Sequence, residues 1–286
     1  ATNNLKSVRS IGDYLFESKN VSESFEAVRC EDGKYLCAVR NCRDSYDVIG
    51  FGYDSEMLFE CVAVGYSSRV IGSYAVENGQ NIAYSFACRA SEHIFGCDGL
   101  MKAKHAILNH RYEPTEYENI RLKIIEELTK IDEWGLGLPV ALAPFAYNET
   151  IAQDNLPLTR DKAIEQGFRW QDELQMTKGK ETMLPDQIPD HIKDVSESIT
   201  NEVLLCISCG RNYRVIPSEL AFYRRMVLPI PRHCFYCRHQ DRLRRRGPMK
   251  IFDRTCDHCK KPIKTTYAPG RPEIVYCEAC YQSEVI

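Results

Sequence analysis

The sequence predicts a mainly β protein: N-terminal β-solenoid-like repeats with a helical cap, followed by a small C-terminal region of two four-cysteine modules. Three observations carry this expectation. A twelve-residue beat runs from Phe25 to Asn109, and it ends at a segment with helical spacing. Eight of the fourteen cysteines then fall in four CxxC pairs within the last 81 residues. With 286 residues, 44% of them hydrophobic, the chain can hold two or three domains with packed cores.

Residues 1–112 read as the repeat domain. Written in rows of twelve, one column is Lys34, Tyr46, Leu58, Val70, Ile82, Ile94, Ala106. A second is Ala27, Val39, Phe51, Ala63, Ala75, Ala87, Gly99, and a third is Phe25, Cys37, Ile49, Cys61, Ser73, Ser85, Cys97. Fixed-period self-similarity marks stacked units that cover one another's apolar faces. The rows are short, rich in β-branched and aromatic residues, and punctuated by Gly, Asp and Asn, so each fits a strand and a turn. Coils of twelve or of twenty-four residues both suit the pattern, and a twisted antiparallel sheet is the alternative. The six cysteines here (Cys30, Cys37, Cys42, Cys61, Cys88, Cys97) read as small buried hydrophobes in the ladder. His93 and His105 share a column without a third ligand in register, so they read as polar surface residues.

Residues 113–170 read as a capping helix and a strap. From Glu113 to Ile131, Tyr117, Ile120, Ile124, Leu128 and Ile131 share one helical face, with Pro114 in the first turn and Gly135 as the stop. A helix here would close the open end of the last coil. An irregular strap covers 136–158, then a short helix runs from an N-cap at Thr159 to Gly167. Residues 171–200 read as a linker and helix: polar up to Pro189, then a helix capped by Asp190 with Ile192, Val195 and Ile199 inward.

The first module, 201–254, holds Cys206, Cys209, Cys234 and Cys237; the second, 255–286, holds Cys256, Cys259, Cys277 and Cys280. Four soft thiolates in two CxxC turns satisfy one tetrahedral zinc, so the count predicts two Zn2+ in two zinc ribbons. Sequential pairing matches both module lengths, and a cross-braced pairing also uses all eight cysteines. Expected elements are a strand at Tyr213–Ile216, a helix at Ser218–Met226, a turn at Pro269-Gly270 and a strand at Glu273–Tyr276. Eight thiolates complete both shells, leaving His233, His239 and His258 as bystanders.

These residues resemble a known family. Cys206, Cys209, Gly210, Glu219, Phe222, Tyr223, Pro231, Cys234, Cys237 and Arg238 are similar to the pattern of the bacterial "probable zinc-ribbon" family. The RPEIVYCEACY ending and the APFAYNETIAQ strap look like those of double zinc-ribbon proteins from candidate-phyla bacteria. The resemblance implies zinc and this architecture, and it brings no activity with it.

Charge supplies the functional expectation. Residues 201–254 carry twelve Arg/Lys against four Asp/Glu, while residues 1–200 carry 21 against 32. Arg238, Arg242, Arg244, Arg245, Arg246 and Lys250 concentrate beside Phe235, Tyr236 and Phe252. Arginine forks suit phosphate and aromatics suit unpaired bases, which points to RNA or a nucleoprotein. The competing expectation is a structural scaffold with a protein partner on the solenoid face. No phosphate loop, nucleophile elbow or HExxH motif is present, so no enzyme and no small-molecule substrate are expected. Paired CxxC turns without an export signal or a membrane-length apolar run imply a cytoplasmic protein with no membrane partner.

Overall fold

The computed structural model describes residues 3–174, 176–246 and 249–285. It divides into two compact units, Ala1–Leu142 with Met249–Ile286, and Ala143–Pro248. The two cysteine quartets, consecutive in sequence, therefore belong to different units.

The first unit is built on a β-solenoid of about eight turns. Its strands pair in parallel along the chain, as in Ser68↔Gln80 and Gln80↔Glu92, so one coil is twelve residues. Only the final pair, Lys104–Ile107 with His110–Arg111, is antiparallel among the described residues of this sheet. The parallel ladder rules out the antiparallel sheet.

Within each coil the true unit is three residues. One residue points inward, the next makes the ladder, and the third takes a left-handed conformation. From Glu17 to Asp32, every third residue (Glu17, Asn20, Glu23, Glu26, Arg29, Asp32) has φ near +50°, between 48° and 54°. That region costs an L-residue roughly 1–2 kcal/mol, least for Asn, Asp and Gly. Asn41, Asp44, Asp47, Asp54, Asn78 and Asn81 occupy the same position in later coils. Four triplets give a four-sided coil with four inward columns.

One inward column is Leu58, Val70, Ile82, Ile94, Ala106, each paired with the next. Lys34 and Tyr46, aligned with it by a strict count of twelve, belong one position outward, paired instead in the line Lys34↔Tyr46↔Phe59. The cause is one extra residue near Gly52, where the register becomes thirteen (Cys42↔Ser55). Gly52 has φ +57°, and a Cβ there would lie 3.0 Å from that of Val39. The same shift moves Ala63, Ala75 and Ala87 out of line with Ala27 and Val39, and Cys61 out of line with Ile49.

Buried serines explain how so narrow a coil satisfies its backbone. The inward residue of each coil turns its N–H toward the side chain one coil earlier. Where that side chain is serine, its hydroxyl accepts the N–H and donates to its own chain two residues back. Ser67 accepts from Gly79 N at 2.9 Å and donates to Gly65 O at 2.7 Å. Ser85 does the same with Cys97 N and Ala83 O. An unpaired buried N–H would be costly, so these serines belong to the core. Ser67→Ala is expected to cost about 1–3 kcal/mol by orphaning the Gly79 amide. Chemical denaturation measures this; an unshifted midpoint would show that the amide has another partner.

The inward cysteines behave as serine analogues and apolar filler. Cys61 Sγ donates to Phe59 O at 3.3 Å, and Cys97 Sγ to Phe95 O at 3.4 Å. Burial pushes the Cys42 and Cys61 thiols up to about 11, so they remain protonated packing groups.

Helix α1 (Pro114–Lys130) begins on the last coil and runs back along one flank. Tyr117, Ile120, Ile124 and Leu128 cover Ala83, Phe95 and Ile107 of three successive coils. The capping helix is thus a lateral cover as well, because that outward column is apolar and needs shielding. His93 and His105 stack with ring centroids 5.1 Å apart, and both meet the edge of Tyr117.

The second unit contains α2 (Ile151–Asn155), α3 (Arg160–Glu165), α4 (Pro217–Met226) and α5 (Phe235–Arg246). Thr159 caps α3 as its sequence predicts, accepting from Lys162 N. The helix expected after Asp190 is instead two 3-10 turns, Ile192–Asp194 and Glu197–Asn201. Ser196 caps the second turn and breaks the run, yet Ile192, Val195 and Ile199 are still buried. The stretch expected as a linker is packed as well: Met183 bridges Leu204, and Ile188 joins the core.

Candidate metal centres and the helix beside them

The chain brings its eight CxxC cysteines together as two quartets in sequential pairing: Cys206, Cys209, Cys234, Cys237 and Cys256, Cys259, Cys277, Cys280. Within each quartet every sulfur lies within 4.8 Å of the others. Cys206 and Cys237 are 3.8 Å apart, Cys209 and Cys234 3.7 Å, and Cys259 and Cys277 3.7 Å. A tetrahedral ion with metal–sulfur bonds of about 2.3 Å requires sulfurs about 3.8 Å apart. The donors therefore fit a four-coordinate metal ion.

Local sequence explains the shape. In the first quartet a short antiparallel pair, Leu204–Leu205 with Asn212–Tyr213, leads into and out of a knuckle. Cys206 N donates to Arg211 O at 2.9 Å, and Gly210 follows with φ +67°. The second knuckle repeats this with Cys256 N to Lys261 O at 2.8 Å, but Lys260 takes the positive φ, at 60°. The expected strand from Glu273 to Tyr276 is absent. The hairpin is instead formed by Phe252–Thr255 and Pro262–Thr265, which flank the knuckle. The chain returns through α6 (Glu278–Val285), an element the sequence pattern did not signal, which carries Cys280 in its first turn.

Amide groups face the sulfurs. Cys234 N lies 3.2 Å from Cys206 Sγ, and Cys277 N lies 3.2 Å from Cys256 Sγ. Burial raises the Cys206 thiol, but the amides of Cys234, Cys209 and Ser208 outweigh it and bring the group down to about 6. Burial likewise opposes the equivalent amides of Cys277, Cys259 and His258 at Cys256, which still bring that thiol to about 6. One sulfur in each quartet, that of Cys206 or Cys256, thus favours the thiolate, while burial pushes Cys237 up and the Cys277 sulfur pushes Cys280 up.

The second quartet sits in the solenoid unit, where Thr266 Oγ1 donates to Asp13 Oδ2 of an early coil at 3.3 Å. The first quartet sits on the core of the other unit, formed by Ile188, Leu204, Val215, Leu220, Tyr223 and Ile230 among others.

α5 begins directly after Cys234 and carries Cys237 in its first turn. The basic residues expected at an interface divide here. Arg238 is partly buried, 3.7 Å from Glu219 and 3.5 Å from the Tyr223 hydroxyl, contacts that brace the ribbon. This contact also accounts for why Glu219, Tyr223 and Arg238 occur together. Arg242, Arg244 and Arg245 lie further along the helix and are all exposed; Arg245 pairs with Asp241, and Arg242 lies 5.9 Å from the Phe235 ring. Arg246 ends the helix, and its side chain lies outside the described residues. Lys250 belongs to the solenoid unit, over Phe252 at 5.3 Å.

The strap has a definite role that its sequence did not disclose. Thr150 caps α2 by accepting from Ala152 N, and Glu149 accepts from Ala146 N at 2.8 Å. α2 packs on α5, where Asp154 accepts from Gln240 Nε2 and meets His239 Nε2 at 3.3 Å. One side of α5 is thereby fixed. His239 is a docking residue, and His258 lies 3.3 Å from Cys280 Sγ as a neighbour of the second quartet.

No protein-family model and no curated protein matches the chain. No helix among the described residues is long and apolar enough to cross a membrane.

Proposed function

We propose that the protein is a non-enzymatic zinc protein that binds nucleic acid, RNA or a nucleoprotein, through α5. The observation that supports this is the makeup of that helix. Arg242 and Arg244 stand along it, and Phe235 and Tyr236, 67% and 40% exposed, open it beside the first quartet. Guanidinium groups next to open aromatic rings suit phosphates and unpaired bases. Zinc is the ion proposed for both quartets, since closed four-thiolate tetrahedra suit it and lend it a structural role. A reducing, cytoplasmic setting suits CxxC turns that hold metal.

The test is salt-dependent RNA binding by the zinc-loaded chain. Affinity should fall steeply between about 50 and 200 mM salt. Arg242→Gln with Arg244→Gln should weaken binding for all sequences and lower the salt slope by about 1 for each arginine that engages a phosphate. Binding that ignores both salt and these substitutions would reject the reading.

A second reading has its own observation. One solenoid face carries Ile49, Val62, Tyr74 and Phe86, all exposed, beside Gly50, Ala63, Ala75 and Ala87. The Tyr74 and Phe86 rings stack at 5.2 Å. A flat apolar strip of this kind suits a protein partner and a scaffold role. Such binding would change little with salt.

A further inference from the structure

We propose that the groove beside the first quartet, between Met176–Thr177 and the knuckle, receives one unpaired base of a single-stranded nucleic acid, stacked on the Arg211–Tyr236 pair. The inference rests on the nucleic-acid reading of α5 and deepens it.

The groove measures about 630 Å³ and is lined by Met176, Thr177, Arg211, Asn212, Cys234 and Tyr236. Its planar surface is built in advance. Tyr236 sits between two cysteines of the quartet, Cys234 and Cys237, so its backbone is fixed wherever the ion is bound. Arg211 is fixed from the other side, because its carbonyl accepts the Cys206 N–H at 2.9 Å. Its guanidinium carbon lies 4.1 Å from the Tyr236 ring centroid, which makes a stacked cation–aromatic pair open to the groove.

The opposite wall is equally fixed. Asn212 N donates to Thr177 O at 2.7 Å, and the Asn212 side chain is held by Lys180 N and Glu181, both at 3.0 Å. Ordering this wall and this platform costs little at the moment of binding.

Ligand chemistry follows from what lines the groove. None of its six lining residues is acidic, and Arg211 supplies a positive charge at the platform. Thr177 adds a hydroxyl that can donate or accept. A flat, uncharged base attached to an anionic backbone complements this set, and Arg242 and Arg244 further along α5 complement the backbone. A paired helix hides the faces of its bases, so a duplex gains nothing from the groove.

The experiment compares zinc-loaded full-length protein and its variants by fluorescence anisotropy at one salt concentration. The probes are a uridine homopolymer of about twelve nucleotides and an RNA duplex of matching length. Tyr236→Leu should weaken single-strand binding by about tenfold and leave duplex binding unchanged. Arg211→Gln should show the same selective loss, and Tyr236→Phe should bind as the unaltered protein does. Metal content is measured for each variant; should Tyr236→Leu lose metal, Arg211→Gln decides. Equal loss on both probes, or no loss on either, overturns the proposal. Where Arg242→Gln with Arg244→Gln abolishes binding but neither groove variant does, the base site falls while the nucleic-acid reading stands. Absence of binding by the unaltered protein overturns both.

Discussion

Cys234→Ser is expected to strip the ion from the first quartet and unfold residues 143–248, while the solenoid stays folded. Cys234 is buried, and its N–H faces Cys206 Sγ, so the change removes a ligand at the centre of the site. The unit's core is a modest cluster running from Ile188 to Ile230, with only short elements around it. A structural zinc contributes on the order of 10 kcal/mol to units of this size, more than a small core holds in reserve. Hydrogen exchange should show residues 143–248 losing protection while strands such as Gln80–Ala83 keep theirs. Persistent protection of Leu204 and Leu220 in the metal-free variant would mean that the ion does not hold this unit together.

Ile82→Asp should destabilise the solenoid by several kcal/mol. Ile82 is 2% exposed, midway along an inward column between Val70 and Ile94. A carboxylate there would be buried among the apolar side chains of the core, with no cation in that cluster to pair with. The coils depend on one another for burial, so the damage should spread along the stack. Asn78→Asp supplies the control: Asn78 is exposed, at φ 53°, and aspartate tolerates the same conformation. It should shift stability by about 0.5 kcal/mol or less. Thermal unfolding of the two variants distinguishes them, and equal midpoints would place Ile82 outside the core.

The solenoid is legible in the sequence because column identity survives in apolar residues such as Val70, Ile82 and Ile94. The three-residue unit beneath it is not. Glu17, Tyr84 and His93 at positive φ have no compositional mark, since stacking imposes that conformation against their intrinsic preference. One extra residue near Gly52 displaced part of each column, and the strand pairing there, as in Cys42 with Ser55 and Tyr46 with Phe59, exposes it. The buried serines were equally hidden, because a hydroxyl's partner is set by the next coil and not by its neighbours in sequence.

The quartets were legible for the opposite reason. CxxC spacing is a local constraint, and the sulfurs of each sequential set meet as that spacing requires. The basic segment was legible only as charge. Which arginines face outward depends on Glu219 and Tyr223 holding Arg238, and on Asp154 fixing one side of α5. The strand expected from Glu273 to Tyr276 failed because Val275 N is taken by Asp257 Oδ2 at 2.6 Å, and Asp257 N donates to Val275 O. The segment binds the knuckle loop instead of a strand partner.

Two cysteine quartets that could each hold a metal ion, in different units of the chain, are the centre of this picture. Elemental analysis of untagged, desalted protein should give two zinc ions per chain. Cys209→Ser and Cys259→Ser should each give one, and the double variant none. A single ion in the unaltered protein, or loss of both ions from either single variant, would contradict two independent quartets.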